Sequence, residues 1–305
     1  MEKKIKKNKE METESRMIEN PGIGDRIANV VIIIVCALIA FCCVLPMWHV
    51  FMASFSDGKQ LMAHEGLVWL PVGDFNLEGY THVFRDASVL KGYANSLLYT
   101  IGATSLGFII AAMAGYALSR DTKLKLAMTL FLMFTVLFGG GMVPTYMVIR
   151  KLGWVGTRWA LLIPGCTNAM FMIMMMNAFN SVPKEMYEAA RIDGAGHFRT
   201  MMQVMLPQAM NLGSVIILNS VVMQWNSWLQ ASIYVPNNKN AWPLQLWVRQ
   251  ITSENQNFLR SANPDYSRYL IQYAVIIAAT LPIIVLFPFF QDKLEKGVIG
   301  GGVKG

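Results

Sequence analysis

Glu185, Glu188, Arg191 and Asp193 fall within nine residues of a polar stretch that separates two long apolar runs. On a helix Glu188 and Arg191 are three residues apart, so they can pair or project charge together toward another protein. A second group lies inside an apolar run, where Asn219, Gln224 and Asn226 accompany Trp225 and Trp228. Amides within a membrane run are costly unless they face a partner or a cavity. Trp and Asn together suit a sugar, the ring stacking on C–H surface and the amides bonding hydroxyls. Hydrogen bonding between helices is an equal alternative. Neither group makes or breaks bonds. A GxxxxGK[ST] phosphate loop is absent, and no Ser/His/Asp or paired-carboxylate set can be assembled. Cys36, Cys42, Cys43 and Cys166 form no CxxC, and the four histidines are scattered, so no metal site is expected.

The elements that must position these residues are apolar. Hydrophobic residues make up 54% of the 305 and charged residues 15%, where soluble domains average about 45–50% and about 25%. Charge-free runs occur at roughly Ile27–Val50, Tyr93–Leu118, Leu126–Met147, Trp159–Phe179, Leu212–Ile233 and Tyr269–Phe290. Each is near the ~20 residues a helix needs to cross a bilayer. Backbone polar groups in lipid must be satisfied within the segment, so the runs are predicted to be helices. The expected fold is all-α: a polytopic membrane protein with six transmembrane helices and a helical cytoplasmic loop between the fourth and fifth.

With a cytoplasmic N-terminus, sixteen of the 26 Lys and Arg residues fall on the inner side and ten on the outer. That excess predicts both termini inside. The tail Lys3-Lys4-Ile5-Lys6-Lys7-Asn8-Lys9 then reads as a topogenic or anionic-lipid segment beside a span, rather than a nucleic-acid arm. Three parts follow: a basic tail over 1–26, a six-helix transmembrane domain over 27–290 with its loop at 180–208, and a C-terminal tail over 291–305.

Several runs carry local signals. The second has Gly102, Gly107, Ala111, Ala112, Ala114 and Gly115, which let helix backbones approach closely. The third contains Gly139-Gly140-Gly141 before Pro144, so a break or kink is predicted there. The stretch Ala53–Gly92, with Trp69, Phe75, Tyr80 and Phe84, fits a small folded cap and equally an interfacial aromatic belt. Met170–Met176, five methionines around Phe171 and Ile173, fits lipid-facing filler better than a surface that repacks. The polar stretch Tyr234–Arg268 is a landing surface for an external partner.

In the polar loop, Asn180-Ser181-Val182-Pro183 reads as a capped helix start. Glu185 suits the first turn, and Gly194 is a left-handed stop. Ala189 and Ala190 give the short helix a flat side that another protein can approach. A second short helix over His197–Met205 is expected to end near Leu206-Pro207, where the chain turns back into the membrane.

These residues carry a resemblance. Glu188, Ala189, Ala190, Gly194, Val204, Leu206 and Pro207, at their spacings between the fourth and fifth of six runs, resemble the cytoplasmic coupling motif of ABC-importer permeases. Val204 stands where isoleucine is usual. Gly140–Tyr146, Arg158–Leu161 and Trp225–Trp228 are similar to the carbohydrate branch, specifically its maltose-permease-like second subunit. The resemblance implies a subunit forming half of a sugar pathway in a bacterial cytoplasmic membrane. Its implied partners are a second permease, two ATPase subunits, an extracytoplasmic sugar-binding protein and the lipid bilayer, with no nucleic acid. ATP and Mg would belong to the ATPase, and this chain would bind no cofactor and would not be an enzyme. Glu188, Ala189, Ala190, Arg191, Asp193, Gly194, Leu206 and Pro207 would form the ATPase-coupling site. The tail Gly301-Gly302-Val303-Lys304-Gly305 would reach between the ATPases, and Asn219, Gln224, Trp225 and Asn226 would line the pathway. Alternatives are an ABC permease for another small polar solute, an ion-driven secondary transporter, or a membrane scaffold without cargo. The runs hold no Asp, Glu, Lys or Arg, which disfavours ion coupling.

Overall fold

The structure, a computed structural model, describes residues 22–258 and 266–291. The basic residues Lys3 to Lys9 and the tail Gly301, Gly302, Val303, Lys304 and Gly305 lie outside those residues. The chain divides into two compact units at Phe75/Asn76.

The first unit is built on α1 (Ile23–Ala53). Asp25 in its first turn accepts the Gly22 N–H at 3.1 Å, a favourable place for a carboxylate. Its side chains from Ile27 to Val44 are largely exposed, including Ile27 at 60% and Ile33 at 66%. Apolar surface all around one helix belongs in lipid or against another chain. After α1 the chain folds back through the short helix α2 (Gly58–Ala63), which Asp57 caps through the Lys59 and Gln60 amides. The return segment is pinned by its backbone. Trp69 accepts from the Trp48 indole at 3.0 Å, and Val68 N–H donates to His49 Nδ1 at 3.0 Å. This half of the aromatic-rich stretch is therefore folded, although Trp69 and Leu70 remain exposed.

The second unit begins with α3 (Glu78–Arg85) and α4 (Ala87–Ser119). There follow α5 (Lys125–Leu137), α6 (Met142–Lys151), α7 (Trp159–Cys166) and α8 (Ala169–Asn180). Next come α9 (Lys184–Ile192), α10 (His197–Trp225) and α11 (Trp228–Tyr234). The unit closes with α12 (Leu244–Phe258) and α13 (Tyr266–Leu286). No strand occurs among the described residues.

The centre of this unit is α4, packed against α7, α8, α10 and α12. Its glycines make that possible. A Cβ on Gly107 would sit 2.8 Å from the Cys166 carbonyl oxygen, and one on Gly115 would sit 2.8 Å from the Met175 backbone. The methionine run divides accordingly: Met175 and Met176 are buried, whereas Met170 is exposed. At the end of α4 remote from α9, Asn95 donates to the carbonyls of Asn240 and Trp242, and Arg158 donates to Asn95 Oδ1 at 3.1 Å. Those bonds staple the Val235–Leu244 connection to the helix.

Among the described residues, five helical stretches are long and apolar enough to cross a membrane. The third run is instead a broken pair, α5 and α6 bent by 111° at the glycines, with Gly141 at φ +81°. The predicted break therefore lies where the sequence placed it. The fifth run requires a correction. His197–Met205 is not a separate helix ending at Leu206-Pro207; one helix runs continuously through them to Trp225. Thr200–Met205 adopts π geometry, with Leu206 N–H donating to the Met201 carbonyl five residues back. That wider turn absorbs Pro207, which has no N–H to offer. Two further breaks were not anticipated, one at Thr167-Asn168 between α7 and α8 and one at Asn226-Ser227 between α10 and α11.

Candidate functional site: a coupling helix and a polar cavity

The loop helix α9 starts one residue later than the sequence implied, with Pro183 itself at the N-cap position and no side-chain cap. Ser181 does not cap it, because its hydroxyl donates to Ala178 O at the end of α8. Glu185 occupies the first turn as expected. The helix stops at Gly194, whose φ of +77° is a left-handed conformation that favours glycine. Ala195 N–H returns to Ala190 O at 3.0 Å and Gly194 N–H to Arg191 O at 3.1 Å, closing the carbonyls of the last turn. The Arg191 guanidinium donates to Ala195 O at 2.9 Å and staples the turn from outside. Arg191 is thus engaged with backbone and not with Glu188. Among the described residues the ion pair is Lys125–Asp121 at 3.2 Å, leaving the exposed Glu188 carboxylate unpaired.

Two grooves flank α9. One, of about 550 Å³, is lined by Glu185, Met186, Ala189, Ala190 and Asp193 against Arg199, Gln203 and Val204 at the start of α10. Ala190 is buried there and Ala189 exposed, so the flat alanine side has one residue packed and one open. The other, of about 450 Å³, lies toward the end of α4 and includes Arg120, Asp121, Lys184, Tyr187, Glu188 and His197. Lys125, through its hydrogen bond to the carboxylate, holds Asp121 below the usual carboxylate range. At the tip of the loop Ile192 is 85% exposed and Phe198 69%, two apolar side chains left uncovered among the described residues. Leu206 and Pro207 lie further on, inside α10.

A third feature sits between the helix breaks. A cavity of about 260 Å³ is bounded by Asn168 and Phe171 of α8, Gln224 of α10, and Ser227, Gln230 and Tyr234 near α11. Among the described residues no charged side chain lines it. The polar groups are held by backbone. Asn168 Oδ1 caps α8 through the Met170 and Phe171 amides, which leaves its N–H₂ as a donor group. Gln224 Nε2 donates to Gly165 O at 2.9 Å, leaving its carbonyl oxygen as acceptor. Gly165 is required for this, since a Cβ there would meet the Gln224 amide at 2.7 Å. Of the other pathway candidates, Trp225 is buried and donates its indole N–H to Ala279 O at 2.9 Å. Asn219 and Asn226 donate to Val215 O and Val222 O of their own helix.

Residues 21–300 match the family described as the binding-protein-dependent transport system inner membrane component. The chain belongs to that family. This inner membrane component is 31% identical over 275 residues to the polygalacturonan/rhamnogalacturonan transport system permease protein YtcP of Bacillus subtilis, covering 88% of this chain and 95% of that one. It is 29% identical to the maltodextrin transport system permease protein MdxG of the same organism, over 76% of this chain and 82% of the other. Its fold matches a chain in the crystal structure of a bacterial ABC transporter involved in the import of the acidic polysaccharide alginate, at a TM-score of 0.78 and 25% identity, with 90% of this chain and 99% of that chain covered.

Some residues of this inner membrane component's site were not singled out from the sequence. Asn168 follows Pro164-Gly165, and a cap residue after Pro and Gly is a helix-restart signal. Arg120 and Tyr187 carry no such signal, because 67 residues separate them and only the packing of α9 beneath α4 joins them.

Proposed function

We propose that this chain is one transmembrane half of an ATP-driven importer for a sugar or oligosaccharide, worked by a separate ATPase. The observation that carries the reading is α9, a short helix with a left-handed stop at Gly194 and an unpaired, exposed Glu188. It links α8 to α10, two helices that bound the polar cavity. Glu188 anchors α9 in a cleft of the ATPase by a charge-assisted bond. Ala189 admits close approach, and Ile192 and Phe198 are buried on docking. Closure of the ATPase dimer pulls on α9 and moves the core helices between inward-open and outward-open states.

In this reading the loop end and both termini are cytoplasmic, and the complex holds a second permease, two ATPase subunits and an extracytoplasmic binding protein. This chain binds no nucleotide; ATP and Mg belong to the ATPase. The sequence divides into a basic tail over 1–26, the permease domain over 27–290 and a tail over 291–305, with Gly301–Gly305 reaching between the ATPases. The cavity beside Gln224 lies on the pathway. Its amide donors and acceptors, with Phe171 beside them, fit sugar hydroxyls and C–H faces. Helix breaks at membrane depth are tolerated where the freed backbone lines a cavity, and two of them border this one. Named relatives that import polygalacturonan and maltodextrin support a saccharide cargo.

The test is reconstitution of the four-part complex with its binding protein and a screen of oligosaccharides for stimulated ATP hydrolysis. Stimulation by at least one saccharide, and none by amino acids, is expected. Hydrolysis unmoved by every saccharide, or uptake persisting without ATP, refutes the reading.

A further inference from the structure

Arg120 ends α4 at the side of the molecule where α9 lies. Its guanidinium carbon stands 4.3 Å from the centroid of the Tyr187 ring on α9 and 5.1 Å from that of Tyr116 on α4. The group is thus shared between two aromatic rings, one on each helix. It is also held in orientation, since Nε and Nη2 donate to Ser119 Oγ at 3.1 and 3.0 Å. That hydroxyl in turn donates to Tyr116 O at 2.8 Å. Tyr116 is fixed by edge contact with Phe179 of α8, ring centroids 5.8 Å apart, and its hydroxyl lies 3.4 Å from His197 Nδ1 at the start of α10. The ends of α4, α8, α9 and α10 therefore meet at one cation–aromatic cluster.

We propose that Arg120 is a positioning residue for coupling: it transmits the displacement of α9 to α4. A planar, always-charged guanidinium stacks on a ring and resists separation more than shear, and it keeps its charge at every physiological pH. As α4 packs on α7, α8, α10 and α12, a pull delivered to its end reaches the helices around the polar cavity. Tyr187 is half-buried against the apolar core that joins Tyr116 of α4, Phe179 of α8 and Met201 and Met205 of α10, so its ring sits where these helices meet. The inference rests on α9 receiving the ATPase, and it concerns a step after that docking.

The experiment uses the whole complex in proteoliposomes and reads transported sugar per ATP hydrolysed, with ATPase co-purification as a separate readout. Arg120→Ala and Tyr187→Leu are expected to keep the ATPase bound while sugar moved per ATP falls about tenfold. Tyr187→Phe keeps the ring and should stay within about twofold of the parent. Arg120→Ala combined with Tyr187→Leu should be no worse than either alone, because both remove the same contact. Should Arg120→Ala fail to assemble, Arg120→Lys, which keeps charge but not the planar stack, should show an intermediate loss. Spin labels at Ala117 and Lys184 should then give a broader distance distribution than in the parent. Parental coupling in Arg120→Ala, a Tyr187→Phe defect equal to Tyr187→Leu, or defects that multiply in the double variant would overturn the proposal. Loss of ATPase co-purification on Glu188→Ala, with normal coupling in Arg120→Ala, would reject the joint and leave the docking reading intact. Parental uptake in Glu188→Ala would reject the docking reading itself.

Discussion

The α9 loop and the cavity beside Gln224 are two polar regions of the second unit, and they are built on opposite rules. Around α9 the side chains are charged and exposed, as with Glu188, or are clamped onto rings and carbonyls, as with Arg120 and Arg191. Around the cavity they are neutral, and the amides of Asn168 and Gln224 are each tied to backbone. Water explains the difference. At the loop, charge is solvated and can be exchanged for a partner's charge at small cost. In the apolar interior an unpaired charge costs far more, so polar recognition is left to amides and hydroxyls with half of their valence already used.

The largest effect expected at the loop comes from its hinge. Gly194→Val puts a β-branched residue at φ +77°, about 1–3 kcal/mol of local strain, and should abolish uptake with normal amounts of protein in the membrane. Glu188→Ala should do the same through lost docking. Immunoblots of membranes beside labelled-sugar uptake check both, and undiminished uptake in either removes the loop from the mechanism. Gly107→Val should act differently. Its Cβ would meet the Cys166 carbonyl, costing about 1–3 kcal/mol of overpacking, so the amount of folded protein should drop along with uptake.

At the cavity the expected changes are smaller and separate substrate handling from assembly. Gln224→Leu removes one amide and leaves Gly165 O without its partner; about 1–3 kcal/mol corresponds to a several-fold to hundredfold loss of uptake. ATPase co-purification should stay at the parental level. A Gln224→Leu complex that lost its ATPase would erase the distinction between the two regions. The smallest effect belongs to Lys125→Ala, which breaks the exposed Asp121 pair. Exposed pairs of this kind contribute little, so uptake and protein level should be indistinguishable from the parent.

Much of this was legible in sequence where the signal was local. The spans announced themselves by length and lack of charge, the α5–α6 break by three glycines, and the end of α9 by Gly194. Legibility failed where neighbours decided the outcome. Pro207 reads as a stop, yet the π turn over Thr200–Met205 carries the helix through it. Ser181 reads as a cap, yet it closes α8 and not α9. Asn219, Gln224, Trp225 and Asn226 look alike on paper, but a helix sends consecutive residues around its circumference. Gln224 meets the cavity, whereas Trp225 is anchored on α13 through Ala279.

By itself, then, the sequence determined the membrane architecture, the broken third span and the polar loop with its left-handed stop. Those follow from hydropathy, glycine and proline within a few residues of one another. Only the tertiary structure decided which amide faces the cavity, which glycines admit a second backbone, and that Arg120 lies over Tyr187. Each of those is a meeting of residues tens of positions apart, set by how α4 packs among its neighbours, and no local pattern encodes it.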